Sequence, residues 1–274
     1  MPQYLLPQHT LSRLMCWLTR CETVWFKNLF IRFIIAKYQV NMSEAVEQSP
    51  DAYPSFNAFF TRSLRDGVRP IEGEEKTIIS PVDGAISQLG QVNAGQLIQA
   101  KGRQYSLLEL LGGDEALATE FEDGQFATIY LSPRDYHRIH MPLTGTLRQM
   151  TYVPGKLFSV SPRTARTVPN LFSRNERLIT VFNTDDGPMI MVLVGAIFVG
   201  SMETVWQGQI TPPYGKEIQQ WDYQSDATIK LQKDEEMGRF NMGSTVVLLL
   251  PKGRMPWQAD LHAESPVKLG QTLI

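Results

Sequence analysis

The chain has 274 residues, 43% of them hydrophobic, enough for one large domain or two small ones around a sizeable core. A formal charge of -2, with both signs interspersed, excludes a general nucleic-acid binder, which needs a basic surface to neutralise phosphates. The only two cysteines, Cys16 and Cys21, match neither a zinc nor a disulfide framework and read as reduced thiols of a cytoplasmic protein. The start lacks the pattern of a secretory signal, and no run of about 18 apolar residues predicts a spanning helix.

Residues 10–40 carry helical spacing, first in Leu11, Leu14, Met15 and Leu18, then in Trp25, Phe26, Leu29, Phe30 and Phe33 on one broad face. Arg13, Arg20, Lys27, Arg32 and Lys37 against Glu22 give residues 1–40 a local excess of +4. A basic, aromatic-rich amphipathic segment suits a membrane interface, but the residues alone favour docking on the protein's own core slightly, and different faces can do both. Next, Ser55 or Asn57 can cap a short helix that buries Phe56, Phe59 and Phe60 and anchors the N-terminal helices to the body. After Arg69-Pro70 the texture changes to short apolar strands separated by Gly, Pro, Asn and Asp. These are 77–79, 84–86, 125–131, 178–182, 189–196 and 246–250, with a polar loop expected over 224–236. The expected class is α+β, a β-rich barrel or sandwich-like core preceded by amphipathic helices.

Three short stretches can carry chemistry. Two of the four histidines, His137 and His140, stand three apart, which on a helical turn would put both rings on one face. Neither a cysteine nor a carboxylate motif completes a metal site around them, so acid-base groups and structural histidines both remain open. Asp83 sits in Ser80-Pro81-Val82-Asp83-Gly84, which alone reads as a turn at a strand end. Ser244 lies in Met242-Gly243-Ser244-Thr245, which alone reads as a turn feeding a buried strand. Together Asp83, His140 and Ser244 supply the carboxylate, imidazole and hydroxyl that can activate a serine nucleophile. The Gly-x-Ser-x-Gly elbow of many serine hydrolases is absent.

These stretches fall within a longer series of ordered blocks. The series includes Phe56-Asn57-Ala58-Phe59-Phe60 with Arg62, Ser80 to Gly84, Tyr130 to Pro142, Tyr152-Val153-Pro154-Gly155 and Asn175-Glu176-Arg177. It continues through Val199-Gly200-Ser201 and Glu236 to Phe240 into Gly243-Ser244-Thr245. Over nearly its whole length the chain closely resembles the bacterial phosphatidylserine decarboxylases, pyruvoyl enzymes made by self-cleavage. Met242 stands where that family's motif usually has Leu, a swap that keeps volume and polarity.

The resemblance implies that His140, held by Asp83, deprotonates Ser244, whose oxygen attacks the carbonyl of Gly243. Elimination and hydrolysis then leave a covalent pyruvoyl group at position 244, with no metal and no pyridoxal phosphate. The pyruvoyl carbonyl forms a Schiff base with the serine amine of the lipid and acts as electron sink while CO2 leaves. His137 is implied as the residue assisting decarboxylation or the return of the proton. Residues 1–65 would form a membrane-associating helical region and 66–274 the catalytic domain, cut into chains 1–243 and 244–274 that stay together as a heterodimer. The expected partners are phosphatidylserine and the membrane surface, with homo-oligomers allowed and no nucleic acid. The expected location is peripheral, on the cytoplasmic face of the bacterial inner membrane. Rival readings are a pyruvoyl enzyme for a soluble amino acid, a serine hydrolase that keeps its chain whole, and a membrane-docking module without activity.

Overall fold

In the computed structural model the described residues are 2–4, 6–100, 102–198, 201–223, 228–241 and 244–274. Met242 and Gly243, one side of the expected cleavage site, lie outside them, as do Val199 and Gly200. The N-terminal segment forms two helices, α1 (Gln8–Thr19) and α2 (Val24–Tyr38), and α2 ends where Gln39 turns left-handed at φ 54°. α3 (Phe56–Phe60) opens on Ser55, whose hydroxyl accepts the Ala58 N–H at 3.2 Å, as expected of a Ser cap. Ile31, Ile34, Phe56, Phe59 and Phe60 form a small core of their own, and the Phe30 and Phe56 rings stack at 4.2 Å.

Fifteen strands follow among the described residues. They are β1 (Gly84–Gln91), β2 (Gln96–Ala100), β3 (Arg103–Ser106), β4 (Gln125–Tyr130), β5 (Arg138–His140), β6 (Gly145–Val153), β7 (Arg177–Thr184) and β8 (Gly187–Val194). The rest are β9 (Met202–Thr204), β10 (Gly208–Thr211), β11 (Gln219–Asp222), β12 (Lys230–Leu231), β13 (Glu236–Phe240), β14 (Thr245–Leu250) and β15 (Pro266–Val267). Nine of them make one antiparallel sheet in the order β11-β6-β7-β8-β14-β4-β1-β15, with β12 also on β6. Among the described residues the sheet is open and no barrel closes, so the α+β sandwich-like expectation describes the fold. A second sheet runs β10-β9-β13-β5, and Ile139, Met202, Met237 and Phe240 carry it into the same buried cluster as the large sheet. The segment 224–236, expected as a polar loop, instead supplies β12 and the start of β13. Its residues 224–227 lie outside the described ones.

The large sheet is organised around β14. Its six residues Thr-Val-Val-Leu-Leu-Leu are all buried, and it pairs with β8 on one side and β4 on the other. An unbroken apolar run without alternation fits a strand covered on both faces, and that is where this one lies. Ser244 therefore enters the sheet at its centre.

Candidate active site

One end of the large sheet holds two of the expected site residues, Asp83 and Ser244. Tyr130 pairs with Ala85 of β1 and with Thr245 of β14, so Asp83 and Ser244 stand at the same sheet end with β4 between them. Two strand spacings put their backbones roughly 10 Å apart. Gly84 makes this approach possible, because a Cβ there would fall 2.5 Å from the Tyr130 carbonyl oxygen. The Ser244 carbonyl accepts the Leu131 N–H at 2.9 Å, while its side chain is fully buried and its Oγ has no hydrogen-bond partner among the described residues. A buried hydroxyl without a partner loses its hydration with nothing in return.

His137 also carries a buried atom without a partner among the described residues. It lies fully buried against Phe60, ring centroids 4.1 Å apart, and its carbonyl accepts the Phe240 N–H at 3.0 Å. Its Nδ1 is 2.8 Å from the Asp135 carbonyl, which can only accept, so Nδ1 carries the proton and Nε2 the lone pair. That Nε2 has no partner among the described residues. Burial, the largest influence, drives its pKa down to about 3, so the ring is a neutral imidazole at physiological pH.

His140 is differently placed. The expected helical turn is absent: His137 precedes β5 and His140 ends it. His137 packs on Phe60 and the Asp135 carbonyl, whereas His140 meets Asp234 and Tyr136, so the two rings have different neighbours. His140 is half-buried, with Nδ1 2.6 Å from the Asp234 carbonyl and Nε2 3.3 Å from the Tyr136 hydroxyl. By the same argument its basic nitrogen is Nε2.

Asp83 is held elsewhere than on an imidazole. Arg69 grips both carboxylate oxygens, at 2.8 and 2.5 Å, while the Leu269 N–H and the Lys268 ammonium add bonds at 2.9 and 3.3 Å. Burial, the largest single influence, works against ionisation. The Arg69 and Leu269 hydrogen bonds and the two nearby cations together outweigh it and keep the carboxyl below its ordinary value. Among the described residues no hydrogen bond joins Asp83 to His140 or His140 to Ser244, although the charge of Asp83 is felt at His137. Arg69 had no signal in the sequence beyond a change of texture, because a lone arginine before a proline does not reveal its carboxylate. No cluster of three or more His, Cys, Asp or Glu is placed to hold a metal ion among the described residues.

A family model described as phosphatidylserine decarboxylase matches residues 56–274, and a second one, described as PSD, matches residues 1–39. A protein of Nitrosococcus oceani named phosphatidylserine decarboxylase proenzyme is 57% identical over 99% of this chain and 89% of its own. Proteins of the same name from Marinobacter nauticus and Pseudomonas fluorescens are 56% and 54% identical, covering 98% and 99% of this chain and 94% of each relative.

Proposed function

The chain belongs to the phosphatidylserine decarboxylase family, and from that premise we propose that it converts phosphatidylserine to phosphatidylethanolamine and CO2. The observation that carries this reading is the buried, unpartnered Ser244 hydroxyl at the head of the central strand. The proposed maturation starts with removal of its proton by His140, whose Nε2 is the basic nitrogen. Asp83 contributes as a fixed negative charge at the same sheet end. The Ser244 oxygen attacks the Gly243 carbonyl carbon, and the peptide becomes an ester with a free amine at 244. Elimination releases the Gly243 carboxylate and leaves a dehydroalanine, which water converts to a pyruvoyl group and ammonia. The site fits such a group, since the atom to be consumed is already buried and free of competing hydrogen bonds. When present, it supplies the carbonyl that takes the headgroup amine and the sink for the electrons left by CO2. His137, neutral and with Nε2 unpartnered, is the residue proposed to hold and return the proton at the α-carbon.

The N-terminal helices support a membrane-bound lipid substrate. α1 turns its polar side to the body: Gln8 accepts the Leu157 N–H at 2.8 Å and Ser12 the Phe198 N–H at 3.2 Å. Leu14 and Trp17 of α1, and Trp25, Leu29 and Phe33 of α2, face outward, each more than half exposed. Between the helices lies an open, wholly apolar groove of about 450 Å³, lined by Met15, Leu18, Phe26, Leu29, Phe30 and Phe33, suited to an acyl chain. No helix among the described residues is long and apolar enough to cross a membrane. Residues 1–65 are thus proposed to lie on the cytoplasmic face of the bacterial inner membrane and 66–274 to carry the catalysis.

Intact mass spectrometry of freshly purified, active protein tests the proposal. The expected result is two chains, the smaller being the last 31 residues, 244–274, without a free amine at its start. Active protein with one unbroken chain would refute it. Ser244→Ala, Asp83→Ala and His140→Ala are expected to stay whole. His137→Ala is expected to cleave and to decarboxylate about a hundredfold more slowly, in the range lost with a general acid-base group.

A further inference from the structure

Arg62, two residues past α3, is only 5% exposed, yet its Nε and Nη1 have no hydrogen-bond partner among the described residues. Its one polar bond runs from Nη2 to the Arg134 carbonyl at 3.1 Å, and the guanidinium lies 5.5 Å over the Phe59 ring. The carboxylates whose fields reach it are all engaged elsewhere: Asp83 and Glu44 by Arg69, and Asp135 by the hydroxyl and N–H of Ser132. No carboxylate comes within 4.0 Å of it among the described residues. A buried cation left with open donors is costly, so a fold that keeps one has a use for those donors. Arg62 lines a cavity of about 290 Å³ together with Arg69, Asp83, Arg134, Tyr136 and Lys268. The cavity adjoins the catalytic end of the sheet: Asp83 and Gly84 line it, and Arg62 bears electrostatically on His137.

We propose that Arg62 binds the phosphodiester of the lipid headgroup, its open Nε–H and Nη1–H donating to the phosphate oxygens. Arginine's planar fork matches phosphate, and its charge is permanent. The headgroup carries two anions, and the chemistry separates them. An ion pair with the carboxylate would stabilise the reactant and vanish as CO2 forms, opposing the reaction. The phosphodiester stays charged through turnover, and only an ester oxygen and two carbons separate its phosphorus from the reacting amine. This inference rests on the headgroup reading above, and binding measurements separate its failure from a failure of that reading.

The test compares processed wild-type enzyme with Arg62→Met and Arg62→Lys. Decarboxylation of a short-chain phosphatidylserine is inhibited by glycerophosphoethanolamine, which has the phosphodiester and no carboxylate, or by L-serine, which has the reverse. With Arg62→Met, KM and the inhibition constant of glycerophosphoethanolamine are expected to rise about ten- to hundredfold, as for a lost hydrogen bond to a charged group. The constant for L-serine is expected to hold, and Arg62→Lys to recover part of the loss. The methionine variant is also expected to melt no lower than wild type, because it removes an unpartnered buried cation. A raised constant for L-serine alone would assign the guanidinium to the carboxylate and overturn the proposal. A lowered melting temperature with both constants unchanged would make Arg62 structural and overturn it equally. If Arg62→Met does not mature, the unprocessed Ser244→Ala protein is titrated with glycerophosphoethanolamine by phosphorus NMR. Line broadening that needs Arg62 is expected, whereas broadening independent of Arg62, or none with Arg62 intact, refutes the site.

Discussion

Glu176 occupies the same sheet end as Ser244: Arg177 pairs with Val194, and Val194 pairs with Thr245. Its carboxyl is 2% exposed and accepts the Tyr152 hydroxyl at 3.0 Å. Burial, the largest influence, raises its pKa to about 7. A raised carboxyl pKa means that the folded protein binds the proton more tightly than the unfolded chain. Its stabilising contribution is therefore complete below the ordinary value of 4.5 and is lost as pH rises through about 7. Glu176→Gln is expected to remove up to about 3 kcal/mol of that pH dependence, read as a flatter melting temperature between pH 4.5 and 7. His137 works in the opposite sense, because its pKa is lowered from 6.5 to about 3. Its contribution is present above pH 6.5 and is lost as pH falls toward 3. In the sequence, Glu176 is one acidic residue in a familiar block, and nothing in the block reveals that the carboxyl is buried.

At the scale of the element, α1 is the instructive case. Its periodicity shows an apolar stripe but not what the stripe faces, and the letters alone favour docking on the protein's own core slightly over a membrane interface. The structure docks α1 through Gln8, Ser12 and Thr19 and leaves Leu14 and Trp17 outside. α2 is apolar on two sides: Ile31 and Ile34 reach the core, while Trp25, Leu29 and Phe33 face outward. Trp17 and Trp25 are 68% and 71% exposed, so removing them should cost the fold little. The double substitution Trp17→Asp and Trp25→Asp is expected to weaken sedimentation with phosphatidylserine-containing vesicles at least about tenfold, since each large apolar side chain gains about 1.5–3 kcal/mol on burial. The melting temperature of the protein without lipid is expected to stay within a degree or two, about the effect of a surface change.

Across the whole molecule, the last 31 residues are woven into the rest at several places. β14 lies between β8 and β4, β15 pairs with β1, and Lys268 and Leu269 bind Asp83. The buried side chains Val246 to Leu250 alone represent on the order of 10 kcal/mol of apolar burial. The two chains produced by cleavage are therefore expected to elute together in native size-exclusion chromatography and to part only in denaturant. Leu248→Ala, which leaves a cavity beside a fully buried strand, is expected to cost about 2–5 kcal/mol in the unfolding of the Ser244→Ala precursor.

The sequence by itself determined the central strand, the serine at its head and the family, because these are local: an unbroken apolar run, a glycine-serine corner and ordered blocks of residues. It also located the helices and narrowed the α3 cap to Ser55 or Asn57, because both signals are local, periodicity in the one case and a polar side chain next to the amides it can satisfy in the other. Only the tertiary structure decided that the large sheet of the described residues is open, that His137 and His140 share no helical turn, and that Asp83 lies in the fork of Arg69. It alone showed that Arg62 is a buried cation with open donors. Each of these depends on which distant segments meet, and burial and charge pairing arise only from that meeting.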